Sequence, residues 1–272
     1  CGTEHHSLMM SGGEAPPEIF EKILSQYDEP YGDSSCLPTY LICKEMSKHA
    51  KTVISGDGGD EMFGGYNRYR EIEMLQRAGR VPMKGLLARL VPLFLPILGE
   101  NGARRVSKGL RCAMMPRERL FCELHTYFQE EEKQRVLTAD VLAKTGGFEP
   151  TWRKFARFMP EKKGSNISEE LMGLEVMTHL HGDYLRKVDV ASSAHGLEVR
   201  VPFLDNEVME FSSRLPLEFK LKDGECKRIL REITRRKLSE RAGNKRKQGF
   251  GIPFDRWSGG VMAGYLEDLL LG

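Results

Sequence analysis

Residues 55–66, SGDGGDEMFGGY, set Ser55, Asp57, Asp60 and Glu61 among glycines at 56, 58, 59, 64 and 65, directly after the apolar triplet TVI. Glycines admit close approach of the backbone, and their N–H groups can meet a phosphate or a ribose. Three carboxylates within five positions would repel a bare phosphate, so this loop suits a nucleotide carried with Mg2+ better than a naked anion. It is not a phosphate-binding P-loop, because no Gly-Lys-Ser/Thr ending follows, and the G-x-G-x-x-G spacing is not met. A plainer reading stands beside this one: Gly58 and Gly59 make a turn, and Asp60 and Glu61 stabilise the start of the next helix.

A second chemical feature lies far along the chain. Residues 227–247 carry ten basic side chains, Lys227 and Lys247 at the two ends, against only Glu232 and Glu240. Such a stripe can bind nucleic acid electrostatically or can serve a triphosphate. No aromatic interleaving accompanies it, which favours the triphosphate. His179, His181 and His195 read as packed or solvent-facing rather than as ligands.

These groups need elements to hold them. Ile19, Phe20, Ile23 and Leu24 fall at helical spacing within 16–27, and a second helix is expected over 38–50 after a turn-rich loop. KTVIS reads as a short strand, and 66–78 return to a helical pattern. Helix, strand, glycine loop and helix in that order belong to an α/β protein with a parallel sheet, whose ligands gather beyond the carboxyl ends of strands. From residue 100 onward the chain reads as largely helical. Ser168 is the expected N-cap of a helix that presents Leu171, Leu174, Met177 and Leu180 to a core. Another helix is expected over about 226–238, burying Ile229, Leu230 and Ile233.

The chain has 272 residues, enough to bury a core without staples, and its net charge of +2 favours neither a nucleic-acid nor a membrane-surface protein. Six cysteines show no C-x-x-C spacing, so neither zinc nor a disulfide framework is supported and a reducing cytoplasm is expected. The opening CGTEHHSLMM lacks the pattern of a signal peptide. The most apolar stretch, 81–99, contains three prolines and two charges. Its uncharged part is far shorter than the ~20 residues of a membrane helix, so it reads as broken core helices.

SGDGGDEMFGGYNRY resembles the signature of the synthetase domain of glutamine-dependent asparagine synthetases. Four further segments are similar to that family in the same order: GTEHH (2–6), DEPYGDSSCLPTY (28–40), LRKVDVASSAHGLEVRVPFLD (185–205), and KRILRE with KRKQGFGIP (227–232 and 245–253). The resemblance implies an adenine nucleotide alpha hydrolase-like parallel sheet followed by a mostly helical region. Residues 1–80 would be the remnant of the nucleotide-binding core, and 81–272 the helical part completing the site. It also implies a fragment: neither a glutaminase domain nor the family's S-G-G-x-D-S pyrophosphate loop is present. SGGEAP at 11–16 imitates only the start of that loop, and Cys1 does not sit in the context of a glutaminase nucleophile.

The chemistry implied is ATP-dependent amidation of aspartate through β-aspartyl-AMP, with ammonia from glutamine. By motif, Ser55 and Gly56 would touch the nucleotide, and Asp57 would sit by the adenylate and receive a proton from the amine. Asp60 would help hold Mg2+, Lys227 would stabilise charge on the α-phosphate, and Lys247 would reach the pyrophosphate. Asp28, Glu29 and Asp33 either bind the substrate's ammonium group or brace their loop. Arg186, Arg200 and Asp205 are expected in ion pairs that fix the EVRVPFLD loop. The family further implies a homodimer for the full-length protein, whereas residues 1–272 alone are expected to be inactive. Relatives that amidate other carboxylates, or close lactam rings, are the alternative reading.

Overall fold

The computed structural model describes residues 2–5, 7, 17–78, 106, 109–126, 128, 130–144, 151–159, 166–245 and 261–271. The expectations for Cys1, 11–16, 81–99 and Lys247 lie outside these residues. The chain folds as two units interleaved in sequence, one of residues 1–59, 179–214 and 229–272, the other of 60–178 and 215–228.

The first unit holds helices α1 (Pro17–Leu24) and α2 (Cys36–Met46), and strand β1 (Thr52–Ile54). β1 pairs in parallel with β2 (Glu198–Arg200), with Val53 opposite Val199. Ser55 N–H extends the ladder by one bond, donating to the Arg200 carbonyl at 2.9 Å. In each strand only the central valine is partly buried. These valines pack on a cluster of Ile23, Tyr27, Leu37, Tyr40, Ala191 and Leu197, which ties the sheet to α1 and α2. A small parallel sheet in a mostly helical α/β domain meets the α/β and parallel-sheet part of the expectation.

The second unit opens with α3 (Gly59–Phe63), whose first residue still belongs to the first unit, and α4 (Asn67–Ala78). Four further helices follow: α5 (Arg117–His125), α6 (Glu130–Val136), α7 (Ala139–Lys144) and α8 (Thr151–Ala156). α9 (Ile167–Glu175) packs on α4, and α8 packs on α5. Tyr69, Ile72, Phe121, Leu171 and Leu174 form the core. Within it lies Glu175, fully buried, accepting hydrogen bonds from Arg68 Nε, from Tyr69 and, at 2.7 Å, from His125 Nε2. Burial alone would raise its carboxyl, but the His125 and Arg68 hydrogen bonds outweigh that and hold it below the ordinary glutamate value.

Three expectations need correction. Asn166, not Ser168, caps α9: its side chain accepts from the Ser168 N–H, while the buried Ser168 hydroxyl donates to the Tyr69 carbonyl at 2.7 Å. Met177 is 61 % exposed, because α9 passes into a π-helix (Val176–Leu185). Leu180, further along that π-helix, is 2 % exposed and buried as expected. The remaining elements are α10 (Arg186–Ser193), a 3-10 turn (Pro202–Leu204), α11 (Asn206–Arg214), α12 (Leu217–Lys220), α13 (Arg228–Lys237), α14 (Glu240–Gly243) and α15 (Val261–Leu271). Ile233 of α13 is 50 % exposed, and no residue of that helix is buried. Among the described residues no helix is long and apolar enough to cross a membrane.

Candidate active site: the glycine loop and Lys227

The strand tip is tied by its own side chains. Ser55 Oγ donates to Asp57 Oδ2 at 2.7 Å, and the Asp57 N–H points back to Ser55 Oγ at 3.4 Å. Gly58, in the left-handed region at φ +80°, lies over Leu204, where an added Cβ would come within 2.9 Å of Cγ. An added Cβ at Gly59 would come within 3.1 Å of the Phe203 ring. The Pro202–Leu204 turn is therefore the seat of the glycine loop. That turn directly follows β2, so the EVRVPFLD segment both pairs with β1 and supports the loop leaving it.

Asp60 and Glu61 do occupy the first turn of α3, as the plainer reading expected. They differ sharply in surroundings. Glu61 is 2 % exposed and accepts from the Tyr66 hydroxyl at 2.6 Å; burial pushes its carboxyl above the ordinary range against that hydrogen bond. Asp60 Oδ1 lies 3.0 Å from Lys227 Nζ. α3 ends after one turn because Gly64 takes φ +70°, and the Gly65 N–H returns to the Asp60 carbonyl at 2.8 Å, the six-to-one closure of a Schellman cap.

Lys227 is not on the basic helix but immediately before it. Its φ of +54° is left-handed, and its N–H donates to the Gly64 carbonyl at 3.2 Å. A β-carbon-bearing residue held there is strained, and such strain gathers at functional sites. Asp60 and Lys227, distant in sequence, thus meet in the second unit, while Ser55, Gly56 and Asp57 belong to the first.

The acidic loop divides. Lys187 Nζ lies 2.6 Å from Asp33 Oδ2 and 2.6 Å from Ser35 Oγ. Burial would raise the Asp33 carboxyl, yet these bonds from Lys187 and Ser35 hold it below the usual value. Asp33 is a brace. Asp28 and Glu29 are exposed, each 3.8 Å from Arg186. Glu29 and Arg186 border a cavity of about 730 Å³ lined also by His181, Asp189, Ser193 and Glu198. Arg200 pairs with Glu198 on the same strand, and Asp205 accepts the Glu207 N–H at the start of α11. His195 stacks edge-on against Tyr40. Burial keeps its ring below the usual value.

Sequence reasoning missed Tyr31, Asp183 and Lys187. The Tyr31 hydroxyl donates to Asp183 Oδ1 at 2.5 Å, and burial raises Asp183 above the aspartate range despite that bond. No local pattern marks these partners, which lie about 150 residues apart in the chain. Among the described residues no group of three or more His, Cys, Asp or Glu is placed to hold a metal. Asp60 offers a single carboxylate. That fits Mg2+ arriving on a triphosphate, which keeps its waters and needs only one or two protein carboxylates.

The fold and loop define a mostly helical α/β domain whose strand tip carries serine and aspartate among glycines, with a strained lysine paired to the following helix. The chain belongs to the asparagine synthase family, whose model matches residues 1–271. It is 29 % identical over 274 residues to asparagine synthetase (glutamine-hydrolysing) 1 of Bacillus subtilis, covering 99 % of this chain and 41 % of that protein. It is 31 % identical over 259 residues to a putative asparagine synthetase (glutamine-hydrolysing) of Mycobacterium tuberculosis, covering 94 % of this chain and 38 % of the relative. Over 199 residues it is 43 % identical to the putative asparagine synthetase (glutamine-hydrolysing) 2 of Methanocaldococcus jannaschii, covering 70 % and 35 %. The chain spans about two fifths of the length of these relatives or less. No solved structure matches it.

Proposed function

We propose that this chain is the synthetase part of a ligase that converts aspartate to asparagine at the expense of ATP, through β-aspartyl-AMP, with ammonia derived from glutamine. The observation that carries the reading is the left-handed Lys227 paired with Asp60. Two motifs with no reason to meet in a merely structural loop supply one cation and one carboxylate, in a chain whose relatives carry the name asparagine synthetase. An adenine nucleotide alpha hydrolase-like nucleotide core is part of this proposal.

A carboxylate resists nucleophilic attack, and adenylation gives it a leaving group. The aspartate carboxylate oxygen attacks the α-phosphorus, the bond to pyrophosphate breaks, and ammonia then displaces AMP from the acyl carbon. Lys227 places a positive charge against the α-phosphate as negative charge builds there, and it costs no reorganisation at that moment. Asp60 would hold Mg2+, which when bound supplies charge neutralisation on the triphosphate. Ser55 and Gly56 orient the nucleotide through hydroxyl and backbone, and Asp57 takes a proton from the attacking amine. The Ser55 hydrogen bond holds the Asp57 carboxylate in place. Lys247 would contact pyrophosphate.

Aspartate-dependent pyrophosphate release by the full-length protein tests the reading, with Lys227→Met and Asp60→Asn expected to slow it by about 10²-fold or more, the scale of losing one preorganised electrostatic partner. Release within twofold of wild type in both variants would overturn it. Stimulation by another carboxylic acid but not by aspartate would move the acceptor while keeping the chemistry. Within the basic helix Arg231 is held by the Gly243 carbonyl, and no aromatic side chain interleaves the basic residues 227–247, which favours the triphosphate reading over nucleic-acid binding.

A further inference from the structure

Adjacent glycines at 64 and 65 are required for different reasons. Gly64 needs its left-handed backbone, at φ +70°, to end α3. Gly65 has no left-handed φ, so its backbone does not by itself require glycine. What it lacks is room. A Cβ at position 65 would come within 2.5 Å of Lys227 Cε and 2.6 Å of Asp60 Cγ, and closer still to Asp60 Oδ1. These are the far ends of two flexible side chains, so a methyl group there moves them rather than breaking the fold.

Lys227 is gripped along its length. Its amide is bonded to the Gly64 carbonyl, its stem passes over the bare Cα of Gly65, and its ammonium meets Asp60 at 3.0 Å. The neighbouring Cys226 Sγ faces the Tyr66 carbonyl at 3.9 Å, so residues 226 and 227 lie along the track made by 64–66. Asp60 is brought to the same place by the Gly65 N–H, which closes α3 on the Asp60 carbonyl.

We propose that Gly65 is a positioning residue: the space left by its absent side chain is where the Lys227 stem and the Asp60 carboxylate meet, and it sets where the Lys227 ammonium stands. This rests on the reading of Lys227 as the lysine acting on the α-phosphate. The prediction is a folded protein with a misplaced cation.

The test uses Gly65→Ala, Lys227→Met, Asp60→Asn and their combinations in the full-length protein. Gly65→Ala should keep the wild-type circular dichroism and melt within a few degrees of wild type. It should lower kcat for aspartate-dependent pyrophosphate release at least tenfold, with KM for aspartate unchanged. The Gly65→Ala/Lys227→Met double variant should be no slower than Lys227→Met alone, because the glycine acts only through the lysine. The melting shifts of Asp60→Asn and Lys227→Met should be non-additive with glycine at 65 and additive with alanine there. Wild-type kcat in Gly65→Ala, a loss that multiplies with that of Lys227→Met, or persistent non-additive melting in the alanine background would each overturn the proposal. If Lys227→Met itself keeps wild-type kcat, the catalytic reading of Lys227 fails, while the melting cycle still decides whether Gly65 seats the pair.

Discussion

At an ordinary position glycine is the less stable choice, because replacing it with alanine gains about 0.4–1 kcal/mol through the unfolded chain. Residue 227 should invert this order. Its φ of +54° is left-handed, where a Cβ costs roughly 1–2 kcal/mol. Lys227→Gly and Lys227→Ala both remove the amine and lose the pair to Asp60, so that term cancels between them. What remains is about 0.5–1 kcal/mol in favour of glycine, or roughly 1–4 °C in melting temperature for a protein of this size. Scanning calorimetry or urea titration of the two variants, side by side, reads the difference. Both should have lost pyrophosphate release to the same extent, which would make Lys227 a residue kept for its charge at a cost in backbone strain. An alanine variant as stable as the glycine variant, or more so, would refute the claim that the backbone is held left-handed at 227.

The buried carboxylate at 175 should be costly to neutralise: Glu175→Gln keeps the shape but removes the charge facing Arg68 and His125. About 3–5 kcal/mol should be lost in urea unfolding, and a loss below about 1 kcal/mol would show that the network is not a brace. Asn166→Ala should cost about 1 kcal/mol by removing the cap of α9, whereas the same cost on Ser168→Ala would have to come from its bond to Tyr69. Asp33 and Asp183 should respond to pH in opposite senses. The Asp33 carboxyl is depressed, so its contribution is present above the ordinary aspartate value of about 3.9 and lost as pH falls through its lowered value. Asp183 is raised, so its contribution is full below about 3.9 and lost as pH rises through its raised value. Asp183→Asn should flatten that second decline in a melting-versus-pH series while leaving the acid limb in place.

The elements around the glycine loop were legible because local rules govern them. TVI carries β-branched residues and runs into the glycine loop, and Ile23 falls inside as its spacing predicts. The pairing of loop and lysine was reachable only through family resemblance, since nothing in KRILRE announces a left-handed residue before a helix. Past Glu175 the helical periodicity held for Leu180 and failed for Met177, because no residue type encodes the change to π bonding. The cap falls to Asn166, two residues before the expected Ser168, whose hydroxyl is taken by the Tyr69 carbonyl. The Lys187–Asp33 and Tyr31–Asp183 contacts depend on chain segments that only the folded backbone brings together.

The parallel register of β1 and β2 also bears on how the chain is made. Thr52 and Glu198 are 146 residues apart, and at roughly 5–20 residues per second a ribosome needs on the order of 7–30 s to deliver the second strand after the first. Throughout that interval the nascent glycine loop has neither its strand partner nor its Pro202–Leu204 seat, and Ile54 has no ladder to hold it. Truncated products ending before about residue 205 should therefore engage holding chaperones, and synonymous codons that slow translation between the two strands should lower the yield of native protein.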